Sequence, residues 1–262
     1  MAAETVRNAA LARMRADEAA LGMIVRLARS GEIAMIAGST GHDFIFIDGQ
    51  HAIFDKETIA HMAIAALGAG VAPVVRVKGA DDPEIPQLLD AGVLGIVVPD
   101  VNTAEQAARA VAAAKFPPVG RRSVQSSYPN FAFRPVPIGE ATAALNAETM
   151  LVCMIESREA LENLEAIAAV PGVDVLHVGC NDLLVDLGMP GAFGCPEIMA
   201  VIERLIAVSR ANGKFAGLGG DKDVGRQRDF IERGVRFVTT QADSAFLMAE
   251  AARRTAALRG EG

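Results

Sequence analysis

The sequence predicts a single (β/α)8 TIM barrel, and three observations carry that prediction. At 262 residues the chain fits one α/β barrel better than two ordinary domains. Eight short runs rich in Val, Ile, Leu or Phe recur along it. Near-continuous apolar runs are what parallel strands buried on both faces require. Amphipathic helical stretches alternate with these runs, and eight such units suggest closure into a barrel.

Taken in order, the strands are expected at 22–27, 43–48, 72–77, 95–98, 150–155, 173–178, 214–218 and 236–240. Helical patterns lie between them at 56–67, 82–90, 104–114, 158–169, 196–211 and 224–233. Gly68, Gly92, Gly172, Gly213 and Gly234 stand at or soon after helix ends, where C-caps favour glycine. An open doubly wound sheet is the alternative. Its dinucleotide fingerprint is missing, because Leu27-Ala28-Arg29-Ser30-Gly31 lacks the glycine spacing.

One segment of the single domain 1–262 breaks the rhythm. Residues 116–147 carry prolines at 117, 118, 129, 135 and 137 and the only tyrosine, Tyr128. The segment is too long for an ordinary connection and is expected to be a lid or an oligomer contact. The last helical stretch, 244–258, has an Ala, Phe, Leu and Met face. That face either packs on the barrel or belongs to a helix exchanged between subunits.

Hydrophobic residues make up 51% and charged residues 22%, which argues for a globular chain and against disorder. The net charge of −7 repels phosphate backbones, so no nucleic-acid partner is expected. A local basic pocket for a small acidic ligand stays open. Cys153, Cys180 and Cys195 give neither a disulfide framework nor a zinc spacing, and they suit a reducing cytoplasm. The first residues are broken by charges, unlike a signal peptide, and no run of about 18 apolar residues marks a membrane span.

In such a barrel the chemistry sits at the C-terminal ends of the strands. The second strand ends in Asp48, followed by Gly49, Gln50 and His51. The Asp48 carboxylate can hold the His51 ring and raise its basicity, as a general base needs; a capping Asp beside a surface His is equally open. The third strand ends in Arg76, placed to bind a carboxylate or an enolate oxygen, or simply to form a rim ion pair. The fifth ends at Glu156, and the sixth runs into Gly179-Cys180-Asn181-Asp182. Two carboxylates at adjacent strand tops suit Mg2+ or Mn2+; helix N-terminal acids are the alternative. Together these strand-end groups are harder to dismiss than any one alone. His177, inside a strand, reads as a packed barrel residue, and Gly217-Leu218-Gly219-Gly220 reads as a plain turn.

The stretch DFIFIDGQH, the PVVRV run followed by DDP, GVLGIVVPDVNTAEQA, MIESREALENLEAIAAVPGVDVLHVG and the NDL after it resemble the HpcH/HpaI family of class II pyruvate aldolases. The resemblance spans roughly 21 to 251. It implies that Glu156 and Asp182 bind a divalent cation, Mg2+, Mn2+ or Co2+. It implies an Asp48–His51 dyad and an enolate-stabilising Arg76. It further implies that Gly179, Asn181 and Asp182 meet the substrate carboxylate, and that Arg122 takes the place of the arginine in the family's Gly-x-Arg-Gly loop. The implied partners are a 2-oxo acid and an aldehyde, and the implied assembly is a homo-oligomer, a trimer or hexamer. Three departures stand out: Gln50 where the family commonly has Glu, Met154 where it has Gln, and Cys180-Asn181 where it has Pro-Ala. The competing readings are a 2-oxo acid decarboxylase, a lyase acting on a CoA thioester, and a non-catalytic binding barrel. The presence of Glu156, Asp182, His51 and Arg76 together argues against the last.

Overall fold

The computed structural model describes residues 6–260. The eight strands are β1 (Ala20–Val25), β2 (Phe44–Asp48), β3 (Ala72–Arg76), β4 (Gly95–Val98), β5 (Met150–Ile155), β6 (Val175–Gly179), β7 (Phe215–Gly219) and β8 (Val235–Ala242). They pair in parallel and in sequence order, and β8 returns to β1 to close the ring. The (β/α)8 barrel is therefore as the apolar runs predict. The helices are α1 (Ala9–Arg15), α2 (Glu32–Ser39), α3 (Lys56–Gly68), α4 (Ile85–Asp90), α5 (Ala104–Ala114), α6 (Ile138–Glu148), α7 (Arg158–Glu162), α8 (Leu164–Ala168), α9 (Cys180–Asp186), α10 (Pro196–Ala211), α11 (Val224–Arg233) and α12 (Asp243–Arg259).

Differences from expectation have local causes. The sixth strand starts at Val175 because Asp174 turns its carboxylate to the Leu151 N–H. The helix expected at 158–169 is two, broken at Asn163, whose side chain donates to the Asn102 carbonyl. Short helices α1, α2 and α9 were hidden by their length. Asn8 caps α1 by accepting the Leu11 N–H, and its amide donates to the carbonyls of Leu94 and Glu148. This ties α1 across the bottom of the barrel, where Leu11 and Met14 join the interior cluster.

Two apolar layers result. One lies between strands and helices, the other inside the ring. Inside, the Phe44 and Phe237 rings stack at 4.4 Å and are fully buried. Each contributes about 1.5–3 kcal/mol by leaving water. Gly22 makes the room, since a Cβ there would stand 2.0 Å from the Phe44 ring. No helix among the described residues is long and apolar enough to cross a membrane.

The 116–147 segment lies at the opposite end from the strand C-termini. It connects α5 to β5, so it runs below the ring. Gln125 donates to the Asp90 carbonyl and Asn130 to the Gly92 carbonyl, both just before β4. Phe116, Tyr128 and Phe131 pack there with Leu94 and with Ala141 and Leu145 of α6. Within one chain the segment therefore packs against the bottom of the barrel.

Candidate active site

The strand register explains the first part of the site. Asp48 and Arg76 face one another as the last pair of β2 and β3. Arg76 grips the Asp48 carboxylate with two hydrogen bonds, Nε to Oδ1 at 2.9 Å and Nη2 to Oδ2 at 2.7 Å. Arg26, just past β1, donates to the same Oδ2 at 2.6 Å. The backbone N–H groups of Gln50 and His51 reach Oδ1 at 3.3 and 3.2 Å. Burial alone would raise the Asp48 pKa; the bonds and charge of Arg76, then of Arg26, outweigh it and bring it down to about 2. Gly49 is required at this corner, because its Cβ would stand 2.7 Å from the Arg76 carbonyl.

The expected contact between Asp48 and the His51 ring is not formed. Asp48 receives the His51 main chain, and its lone pairs are otherwise spent on two guanidinium groups. The His51 side chain instead lines the mouth of the cavity described next.

A cavity of about 310 Å³ opens at the C-terminal ends of the strands. His51, Arg76, Glu156, Gly179, Asn181 and Asp182 all line it. A larger groove of about 740 Å³, edged by Arg7, Arg13, Glu18 and Asp43, lies at the other end of the barrel, away from every one of them.

Glu156 is 5% exposed and has no ion-pair partner among the described residues. Its Oε2 accepts the Asp100 N–H at 3.1 Å. Asp100 holds a left-handed φ of 53°. Burial, with the charges of Asp100 and Asp182, lifts the Glu156 pKa to about 7. Its Oε1 rests where a Cβ on residue 179 would be, 2.1 Å away, so Gly179 makes space for the carboxylate. A buried carboxylate in this state is stabilised by a cation. Among the described residues no three His, Cys, Asp or Glu side chains converge as ligands. Two carboxylate donors fit a hard divalent cation that keeps several waters, as Mg2+ commonly does.

Arg122 is elsewhere. It sits in the bottom segment, 3% exposed, with its Nη2 on Asp90 at 2.6 Å and its guanidinium over the Phe116 ring at 4.4 Å. It cannot reach this chain's cavity, because a helix-to-strand connection lies at the N-terminal end of the sheet. Its charge is spent on holding that segment.

Other groups at the mouth were not singled out from sequence. Arg26 could have been found as the polar residue that follows the first apolar run. Thr239 and Gln241 on β8, and Lys222 beyond β7, also line the cavity. Thr239 and Gln241 follow the interior Phe237 at every second position, so strand alternation from Phe237 could have found them, whereas Lys222 lies in a loop where no periodicity applies. His177 is buried against the edge of the Phe237 ring, as a packed residue would be, yet it also lines the cavity floor. Burial, then Arg76 and Lys222, push its pKa down to about 3, so the ring is neutral.

Comparison with known proteins agrees with this architecture. The family model described as HpcH/HpaI aldolase/citrate lyase matches residues 9–249. A hydroxypyruvate/pyruvate aldolase of Cupriavidus necator is 37% identical, over 93% of this chain and 89% of that protein. A 4-hydroxy-4-methyl-2-oxoglutarate aldolase of Chaetomium globosum is 36% identical, over 92% of this chain and 91% of that protein. The crystal structure of an HpcH/HpaI aldolase from Desulfitobacterium hafniense superposes with a TM-score of 0.90 at 29% identity, covering 95% of this chain and 96% of that one. With the family model spanning almost all of the barrel and full-length relatives above 30% identity, the chain belongs to the HpcH/HpaI aldolase/citrate lyase family.

Proposed function

We propose that this chain is a metal-dependent aldolase that cleaves or forms a 4-hydroxy-2-oxo acid, with pyruvate or hydroxypyruvate and an aldehyde as the other side of the reaction. The observation that carries the reading is the buried carboxylate Glu156, with no ion-pair partner among the described residues, beside Asp182 and Arg76 in one cavity at the strand ends. Glu156 and Asp182 would hold the cation, which can be Mg2+, Mn2+ or Co2+. A divalent cation bound there supplies Lewis acidity to the 2-oxo acid, making its C3 protons labile.

The remaining work falls to the chain itself. Arg76 is fixed by Asp48 through Nε and Nη2, and its Nη1, which meets only the weak acceptor Met154 Sδ at 4.0 Å, can turn to the enolate oxygen. Arg26 tightens the same carboxylate, so the arginine that faces the substrate is preorganised rather than flexible. Backbone N–H groups of Asn181 and Asp182, beside Gly179, meet the substrate carboxylate. His51, at the mouth, moves the proton at the aldol hydroxyl, directly or through water. Its orientation comes from the main-chain bond to Asp48 and not from a ring contact. The same reading makes the protein a cytoplasmic homo-oligomer, a trimer or hexamer. It assembles through α12, which leaves Phe246, Leu247, Met248 and Leu258 exposed on the single chain.

The test is exchange of pyruvate C3 protons into D2O, followed by NMR on EDTA-treated protein and again after Mn2+ or Mg2+ is restored. Exchange that depends on metal is expected. Its absence with every metal, for hydroxypyruvate as well as pyruvate, would overturn the reading.

A further inference from the structure

One cation in the cavity has no task in this reaction. The loop after β7 is firmly held. Asp221, 3% exposed, accepts two hydrogen bonds from Arg226, at 2.6 and 2.8 Å, and the Asp223 N–H at 3.0 Å. Its carbonyl accepts from Gln227, which also reaches the Thr239 carbonyl. Lys222, the next residue, is thereby turned into the cavity instead of out to solvent.

Lys222 is under-used where it sits. Its Nζ donates to the Thr239 carbonyl at 3.1 Å. An ammonium has three protons to place, and no carboxylate lies within ion-pair distance of it among the described residues. The neighbouring Asp221 is taken by Arg226, and Asp48 by Arg26 and Arg76. Burial and then the charge of Arg26 hold the Lys222 ammonium down at about 8. Two cations sharing a pocket wall favour an anion between them. Gln241 lines the same wall. Its Oε1 accepts the Ala242 N–H at 3.1 Å, which leaves the amide protons for a ligand. His177, 1% exposed on the cavity floor, has no partner for its Nδ1.

We infer that Lys222 and Gln241 form a second anion subsite, one that takes a carboxylate on the aldehyde or ketone partner of the 2-oxo acid. This rests on the aldolase reading above. Arg76 serves the reacting oxygen, and Lys222 answers a negative group at the far end of the substrate. One ammonium and one amide match the two oxygens of a carboxylate. A phosphate is ordinarily met by several backbone N–H groups. Those of Arg26, Leu27 and Ala28 at this mouth are already bonded to the Asp243 carboxylate.

The experiment compares acidic and neutral acceptors of matched length. Aldol addition of pyruvate is measured on Mn2+-loaded wild type, Lys222→Met and Lys222→Arg. The acceptor pairs are glyoxylate with glycolaldehyde, and succinic semialdehyde with butanal. Glyceraldehyde 3-phosphate with glyceraldehyde is the phosphate arm. In Lys222→Met the ratio of kcat/KM for acidic over neutral acceptor is expected to fall tenfold to a hundredfold in at least one carboxylate pair, the range of one charged hydrogen bond. Lys222→Arg is expected to keep most of the ratio. A ratio between two acceptors on one protein is insensitive to loss of folded enzyme. Ratios unchanged in Lys222→Met for both carboxylate pairs overturn the inference, as does a fall confined to the phosphate pair. Metal-dependent pyruvate exchange in wild type separates the failures. Exchange with unchanged ratios sinks only the subsite; no exchange with pyruvate or hydroxypyruvate sinks the aldolase reading and the subsite with it.

Discussion

Gly179→Ala isolates the position of one carboxylate. The glycine has a φ of −88°, which alanine adopts without strain, so the backbone gives no reason for harm. The harm is steric and aimed at a single group. The added Cβ would stand 2.1 Å from Glu156 Oε1, against 3.4 Å for an ordinary contact, so the carboxylate must retreat by about 1.3 Å. Metal ligands tolerate displacements of about 0.2 Å, and Glu156 Oε2 is tethered to the Asp100 N–H. Mn2+ affinity, measured by calorimetric titration, is expected to fall at least tenfold, about 1.4 kcal/mol. The apo protein should melt within about 4 °C of wild type, since a flexible side-chain end absorbs the clash. Unchanged Mn2+ affinity in a folded Gly179→Ala protein would refute Glu156 as a ligand in this position.

Three further outcomes are expected. Asp182→Asn removes ligand charge at the rim, so metal-dependent pyruvate exchange should vanish while circular dichroism stays native; full exchange with normal metal affinity would contradict the assignment. His51→Ala should lower kcat for aldol cleavage far more than it weakens 2-oxo acid binding, because a proton-transfer group acts mainly in the transition state; an unchanged kcat would show another proton route. Asp48→Asn should destabilise the fold at neutral pH. The Asp48 pKa drops from 3.8 to about 2, which corresponds to on the order of 2 kcal/mol. A depressed carboxylate stabilises above its unfolded value, and that contribution is lost as pH falls through the folded one. The urea-melting gap between wild type and Asp48→Asn should therefore be full above about pH 4 and close toward pH 2; a gap that persists at pH 2 would contradict the ion-pair account.

The barrel was legible because strands buried on both faces leave unbroken apolar runs, and eight of them allow few arrangements. Strand ends moved by a residue or two where a side chain such as Asp174 took over a backbone group. Helices α1, α2, α6 and α9 escaped notice because they are short or sit beside prolines and glycines. Asp48, Arg76, Glu156 and Asp182 were placed correctly at the strand ends, since topology alone brings strand tops together. What failed was pairing. Spacing could not show that Asp48 would be occupied by Arg26, which precedes it by 22 positions, leaving nothing for the His51 ring. The arginine of the 120–123 loop is held on Asp90 and Phe116 at the other end of its own barrel, a placement that no spacing in the sequence shows.

The closing of the ring by β8 on β1 divides the cavity into two arcs. Asp48, Arg76, Glu156 and Asp182 belong to the arc of β2, β3, β5 and β6; Arg26, Lys222 and Gln241 belong to the contiguous arc of β7, β8 and β1. Substitutions with no shared partner combine additively, and those in one network do not. Lys222 and Gln241 make no hydrogen bond to the groups of the first arc, so changes there leave the Asp48–Arg76 bonds in place and reach that arc only through charge, by way of Arg26 and His177. Arg26 is the exception. Its bond to Asp48 stitches the arcs together, so double substitutions that include Arg26 will be epistatic, and a lineage that changes β1 at this point must re-adapt Asp48 and Arg76 with it.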